Sequence, residues 1–229
     1  MTGSDWVAPD DRRVGILGGT FDPIHYGHLV IAEQVREALE LDRVLFVPAG
    51  IPPHKPEAAL TAATDRATMV ELAIAGNPAF TISRIELERD GPSFTVETVG
   101  ELVDEATRRG EARDFFFILS SEALAGLHAW HEPLRLMSLC RLAVVPRPGA
   151  PLPDTAWLES HLPAGAAAGA GAGADRVVCV QTVPLAHSAS DVRNRAAAGR
   201  SIRYLVPPAV EAYIREHRLY RSDRARRTA

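Results

Sequence analysis

Apolar and polar positions alternate along this chain in blocks of two kinds. Short runs rich in Val, Ile, Leu and Phe, closed by Gly or Pro, are "RRVGILGG", "RVLFVPAG", "DFFFILSSE", "RLAVVPRPG" and "RVVCVQTV". Such continuous runs predict strands buried on both faces. Between them lie segments with apolar residues at helical spacing. In "YGHLVIAEQVREALELD" they are Leu29, Ile31, Val35 and Leu39, with charges between them. "TDRATMVELAIAG" predicts a helix capped by Thr64 and ended at Gly76, and "FTISRIELER" alternates as a strand would. "GPSFTVETVGELVDEATRRG" predicts a turn and a helix, "LAGLHAWHEPLRLMSLC" a helical or loop region, "SASDVRNRAAAG" a short helix and "PPAVEAYIREHRLY" a terminal one.

Strands alternating with helices predict an α/β chain built on a doubly wound parallel sheet. The 229 residues fit one domain with a core over about 13–220. The Ala/Gly stretch 163–175 reads as a flexible surface insertion, and the basic tail 221–229 as disordered. In such sheets ligands bind beyond the carboxyl ends of the strands, where strand order reverses.

Composition narrows the possibilities. A hydrophobic fraction of 46% with 24% charged residues is that of an ordinary globular chain. The net charge of −4 argues against a general nucleic-acid binder. The acidic N-terminus is unlike a signal peptide, and no apolar run reaches the length of a membrane span. Cys140 and Cys179 sit in apolar runs with no CxxC pattern, as small buried hydrophobes in a reducing compartment would. We therefore expect a cytoplasmic location. Lys55, in "IPPHKPE", is the only lysine among 25 Lys and Arg residues. An ammonium and a guanidinium are not interchangeable at a tight site, so that position invites a specific role.

The stretch "GGTFDPIHYGH", Gly18 to His28, follows the first strand. It is no Walker loop, no GxGxxG fingerprint and no HExxH zinc motif, so no metal site is expected. What remains is a glycine turn feeding a helix N-terminus, a ready anion site. Gly18 and Gly19 would let a ligand approach the backbone closely. A histidine near phosphate has its charged form favoured, and could stabilise charge developing in a transition state. In "HSASDVRNR", Ser188 and Asp191 fit a capping pattern. Ser190 lies in the first turn, and Arg193 and Arg195 could add charge. Together these residues suit phosphoryl or nucleotidyl transfer without a covalent intermediate.

Thr20, His25, Gly27 and His28 resemble the TxxH/HxGH signature of the nucleotidylyltransferase superfamily, and "SASDVR" resembles its ISSTxIR signature. "PAGIPPHK", "ELERDGPSFTVET", "AWHEP", "VPRPG" and "GRSIRYLVPPAVEAYI" narrow the resemblance to bacterial nicotinate mononucleotide adenylyltransferases. The resemblance implies a Rossmann-like single domain joining ATP, with Mg²⁺, to nicotinate mononucleotide, and giving deamido-NAD and pyrophosphate. It implies that His25 and His28 meet the ATP phosphates, with Gly18, Gly19, Thr20 and Phe21 lining the nucleotide site. Ser190 and Arg193 would hold the triphosphate, with Arg147 near the adenine. Lys55 would meet phosphate, Thr95 and Trp130 would frame the pyridine ring, and Glu122 would stand in the substrate site. Two departures stand out: "SSE" (Ser120–Glu122) where the family has Gly-Ala-Asp, and Ala189 where it has serine. The alternatives are a sister transferase using nicotinamide mononucleotide or a pantetheine phosphate, and a non-catalytic nucleotide sensor. No nucleic-acid or membrane partner is expected.

Overall fold

The computed structural model describes residues 8, 10–52, 60–146, 176–183, 185 and 187–221. Lys55, Arg147, the 163–175 stretch and all but the first residue of the basic tail lie outside these residues.

Six parallel strands form one sheet: β1 (Arg13–Gly19), β2 (Arg43–Pro48), β3 (Phe80–Ile82), β4 (Asp114–Ser120), β5 (Arg141–Val145) and β6 (Val177–Cys179). Their order is β3-β2-β1-β4-β5-β6. The order reverses between β1 and β4, so the crevice beyond their carboxyl ends is where such a sheet takes a ligand. The helices are α1 (Tyr26–Ala38), α2 (Ala63–Ile74), α3 (Thr95–Arg108), α4 (Ser121–Ala125), α5 (Pro133–Leu139), α6 (Ala189–Ala197) and α7 (Pro208–Glu216).

The continuous apolar runs are explained by two separate cores. Val44, Phe46, Phe116, Ile118, Ala143 and Val145 face one core, shared with α1, α2, α6 and α7. Their strand neighbours Leu45, Val47, Phe115, Phe117, Leu119, Leu142 and Val144 face the other, shared with α3 and α5. Each strand therefore alternates between two apolar layers. A fully buried side chain of this size contributes about 1.5–3 kcal/mol, which fixes the register at the mouth.

Three expectations need correction. The third strand stops at Ile82 rather than running to Arg89. The Ser83 N–H still donates to the Phe46 carbonyl, but the Arg84 carbonyl then accepts from Leu87 and Glu88 and turns the chain. The inward residue there is Glu86, only 8% exposed. Helix α2 starts at Ala63, with Ala62 rather than Thr64 at its N-cap and no side-chain cap. Cys140 is buried and its thiol is pushed up to about 12 by that burial, but Cys179 is exposed. Cys179 lies on β6, at the sheet's edge, which ends well short of Val183.

Candidate active site

Beyond Gly19 the chain turns sharply. Phe21 adopts a left-handed backbone (φ 48°), and its side chain is 2% exposed. A non-glycine residue takes this conformation only where its surroundings enforce it. The Phe21 ring fills the space a side chain at Gly19 would need, 3.2 Å from the ideal Cβ, and the Phe117 ring lies 3.5 Å from the corresponding point at Gly18. On that side these glycines make room for the protein's own rings.

The two histidines begin α1. His25 is its N-cap and its Nδ1 accepts from the Gly27 N–H at 3.1 Å. His28 sits at the third helical position and its Nδ1 accepts from the His25 N–H at 3.2 Å. This is a capping box written in imidazoles, satisfying two of the helix's free donors. The ring centroids are 3.9 Å apart and tilted by 32°. Gly27 is required by that closeness, since a Cβ there would lie 2.8 Å from the His25 ring. The Phe21 ring meets His28 edge-on at 5.1 Å.

These bonds assign the tautomer. Each Nδ1 accepts, so each proton sits on Nε2. Burial lowers the His25 pKa to about 4, helped by the nearby charge of His187. Burial and then His25 lower that of His28 well below the usual histidine range. Burial therefore favours the neutral form of both rings, each a donor through Nε2; the charged form is expected only beside a bound phosphate.

A stability consequence follows. The unfolded chain takes up a proton on His25 near pH 6.5, whereas the folded chain resists it down to about 4. Stability is therefore full above pH 6.5 and falls as pH drops through that window, by on the order of 3 kcal/mol for this group. Thermal melts from pH 7 to 4 should show a shallower fall for His25→Asn, which keeps a cap oxygen but does not titrate; equal slopes would disprove the assignment.

The second motif meets the first. Ser188 caps α6 and accepts from the Asp191 N–H at 3.1 Å, as its sequence pattern predicts. Arg193 donates through Nη1 to the Asp22 carbonyl at 2.6 Å and through Nη2 to Ser190 Oγ at 3.1 Å. Ser190 and Arg193 thus meet the turn that leads into His25 and His28. Arg195 instead donates to the Ser201 carbonyl past the end of α6.

Across the mouth, Thr95 is the first residue of α3, behind Phe94 at the N-cap. Phe94 and His131 place their rings 4.6 Å apart, and the adjoining Trp130 meets Phe117 edge-on at 6.1 Å. Thr95 and Trp130 therefore lie on adjacent segments, next to a pair of rings that sequence reading overlooked. Ser120 is spent as the N-cap of α4, accepting from the Ala123 N–H at 3.2 Å, and Glu122 is exposed one residue into that helix. Glu86 accepts from Thr98 Oγ1 at 2.8 Å, and burial raises its pKa against the opposing effect of Thr98, Ser93, Arg89 and the Gly50 N–H. Three further residues escaped the sequence reading: Asp22, Arg66 and Tyr220, all of which converge on the Thr20–Asp22 turn. Only Arg66 left a signal, since it shares the buried face of α2 with Val70 and Ile74. Among the described residues no cluster of three His, Cys, Asp or Glu could hold a metal ion, and no helix is long and apolar enough to cross a membrane.

A parallel sheet with a helix N-terminus capped by two histidines beyond β1 defines an α/β protein with a crevice of the kind that takes an anionic ligand, and comparison places it further. The chain belongs to the cytidylyltransferase-like family, whose model matches residues 16–195. It is 43% identical over 213 residues to a "probable nicotinate-nucleotide adenylyltransferase" of Thermomicrobium roseum, covering 93% of this chain and 94% of that one. It is 45% identical over 210 residues to a protein of the same description from Roseiflexus sp., covering 91% and 98%. The fold matches the nicotinic acid mononucleotide adenylyltransferase of Plasmodium falciparum with a TM-score of 0.68 at 18% identity, covering 91% of this chain and 97% of that chain.

Proposed function

We propose that this protein transfers the adenylyl group of ATP to nicotinate mononucleotide, giving deamido-NAD and pyrophosphate. The observation that carries the reading is the imidazole capping box at the sheet's reversal point, tied by Arg193 to the tip of α6, in a chain 43–45% identical to relatives described by that activity.

The mononucleotide's phosphate oxygen attacks the ATP α-phosphorus in line. The bond from that phosphorus to the oxygen bridging to the β-phosphate breaks, and pyrophosphate leaves with the electron pair. Positioning and preorganised donors carry most of such a step. In our reading the Nε2–H groups of His25 and His28 donate to the phosphoryl oxygens as charge builds. The bonds favour this because each Nδ1 is already committed to the helix backbone, which leaves Nε2–H as the donor for a ligand. Backbone at Gly18, Gly19, Thr20 and Phe21 lines the nucleotide. Arg193, which uses two of its N–H groups among the described residues, and Ser190 hold the triphosphate, while Thr95 and Trp130 frame the pyridine ring and Glu122 stands beside the substrate. Lys55 on phosphate and Arg147 near adenine complete the assignment from family likeness. A divalent ion, Mg²⁺ in our reading, arrives with ATP as part of that substrate. We place the protein in the cytoplasm as a single domain.

An acceptor panel tests this. With ATP and Mg²⁺, purified protein should release pyrophosphate with nicotinate mononucleotide at least tenfold more efficiently, in kcat/KM, than with nicotinamide mononucleotide or a pantetheine phosphate. No turnover with any acceptor would leave a nucleotide sensor; preference for another acceptor would move the chain to a sister activity.

A further inference from the structure

The turn from Thr20 to Asp22 is strained at Phe21, yet it carries the chain into the histidine pair. Something must over-determine it. Two buried side chains from distant segments do so. The Arg66 guanidinium, 1% exposed, donates to three main-chain carbonyls: Thr20 at 2.7 Å, Thr61 at 3.0 Å and Gly50 at 3.2 Å. The Asp22 carboxylate, 3% exposed, accepts from the Tyr220 hydroxyl at 2.7 Å on one oxygen and from the Thr61 N–H at 3.3 Å on the other. Asp22 also exerts the largest charge effect on Arg66, favouring its cation against the burial that opposes it.

The route that brings Tyr220 there is itself costly. Arg218 (φ 53°) and Tyr220 (φ 65°) both take left-handed backbone after α7. Residues other than glycine adopt that shape when something outside the segment rewards it, and the Asp22 contact is a strong, charge-assisted hydrogen bond of that kind. Tyr213 offers an internal comparison. It too donates its hydroxyl to an aspartate, Asp65, at 2.8 Å, but that bond joins α7 to α2 and does not touch the turn.

We propose that Arg66 and Tyr220 are positioning residues for adenylyl transfer: acting through Thr20 and Asp22, they hold the turn that sets the place of the His25–His28 pair, so the segment beyond α7 belongs to the working site. Neither group needs to meet substrate. The proposal rests on the adenylyl-transfer reading for its kinetic arm only.

Tyr220→Phe and Tyr213→Phe are compared with the parent by amide hydrogen exchange, thermal melting and steady-state kinetics. Tyr220→Phe should speed exchange of the peptide covering 18–28 by about tenfold and lower kcat by about tenfold, as expected when a reacting group is displaced by a fraction of an ångström. KM for ATP should change less than threefold. Tyr213→Phe, with a comparable melting temperature, should leave both kcat and that exchange at parent values. Arg66→Lys, which keeps the charge but not the three-way fork, should move exchange and kcat as Tyr220→Phe does. Unchanged exchange or unchanged kcat in Tyr220→Phe, or equal behaviour of the two tyrosine variants, overturns the proposal. A parent without turnover would overturn the adenylyl-transfer reading instead, and the exchange arm would still decide this one.

Discussion

Replacing His28 with alanine is expected to lower kcat by about a thousandfold while ATP binding changes little, since removing one aimed donor from a charge-stabilising site costs roughly 10²–10³. The side chain has two jobs. Its Nδ1 accepts the His25 N–H and closes the capping box, and its Nε2–H is the donor we assign to phosphate. The first job concerns stability: loss of a cap contact of this kind costs about 1 kcal/mol. His28→Gln separates the two, because a glutamine at the third helical position can restore the box. That variant should melt closer to the parent than His28→Ala yet remain at least a hundredfold slow. Stopped-flow adenylyl transfer with fluorescent-analogue binding measures both quantities. If His28→Ala retained turnover within tenfold of the parent, the role given to the imidazole pair would be wrong.

The largest stability effect is expected at Gly50. An alanine Cβ there would lie 2.1 Å from the Glu86 carbonyl oxygen and 3.0 Å from Ser93 Oγ. Backbone cannot rotate away as a side-chain tip can, so the segment after β2 must move. That movement strains two bonds at once: the Gly50 N–H donates to the Glu86 carboxylate, and the Gly50 carbonyl accepts from Arg66. Overpacking costs about 1–3 kcal/mol, and each weakened bond to a charged group adds about 1.5–3 kcal/mol at most. We expect Gly50→Ala to lose about 4 kcal/mol, a fall in Tm of roughly 10 °C for a chain of this size. A Tm within 2 °C of the parent would show that the segment yields freely.

What the sequence disclosed follows from how locally each feature is encoded. β1, β2, β4 and β5 were legible because each is a long run buried on both sides. β3 was overcalled because Glu86 occupies an inward position in an alternating pattern, and a buried carboxylate satisfied by Thr98 cannot be told from a solvent-facing one by periodicity. The histidine spacing was legible, but its structural half was not. Three residues apart is the distance from N-cap to third helical position, the same interval as in a Ser-x-x-Glu box. The charge state depended on burial, which spacing does not report. Arg66 could have been found as an arginine on an apolar helix face. The Asp22–Tyr220 bond joins positions too far apart in the chain for any local pattern to announce.

The order of the strands has a consequence for synthesis. The strands among the described residues have all been made once Cys179 has been synthesised, yet Arg193 and Tyr220, which grip the turn after β1, follow later in the chain. A nascent chain can therefore assemble its sheet early and still be unable to act. Competence arrives only when these later residues close back on the first loop, so termination a few codons short of Tyr220 should yield a folded but feeble product.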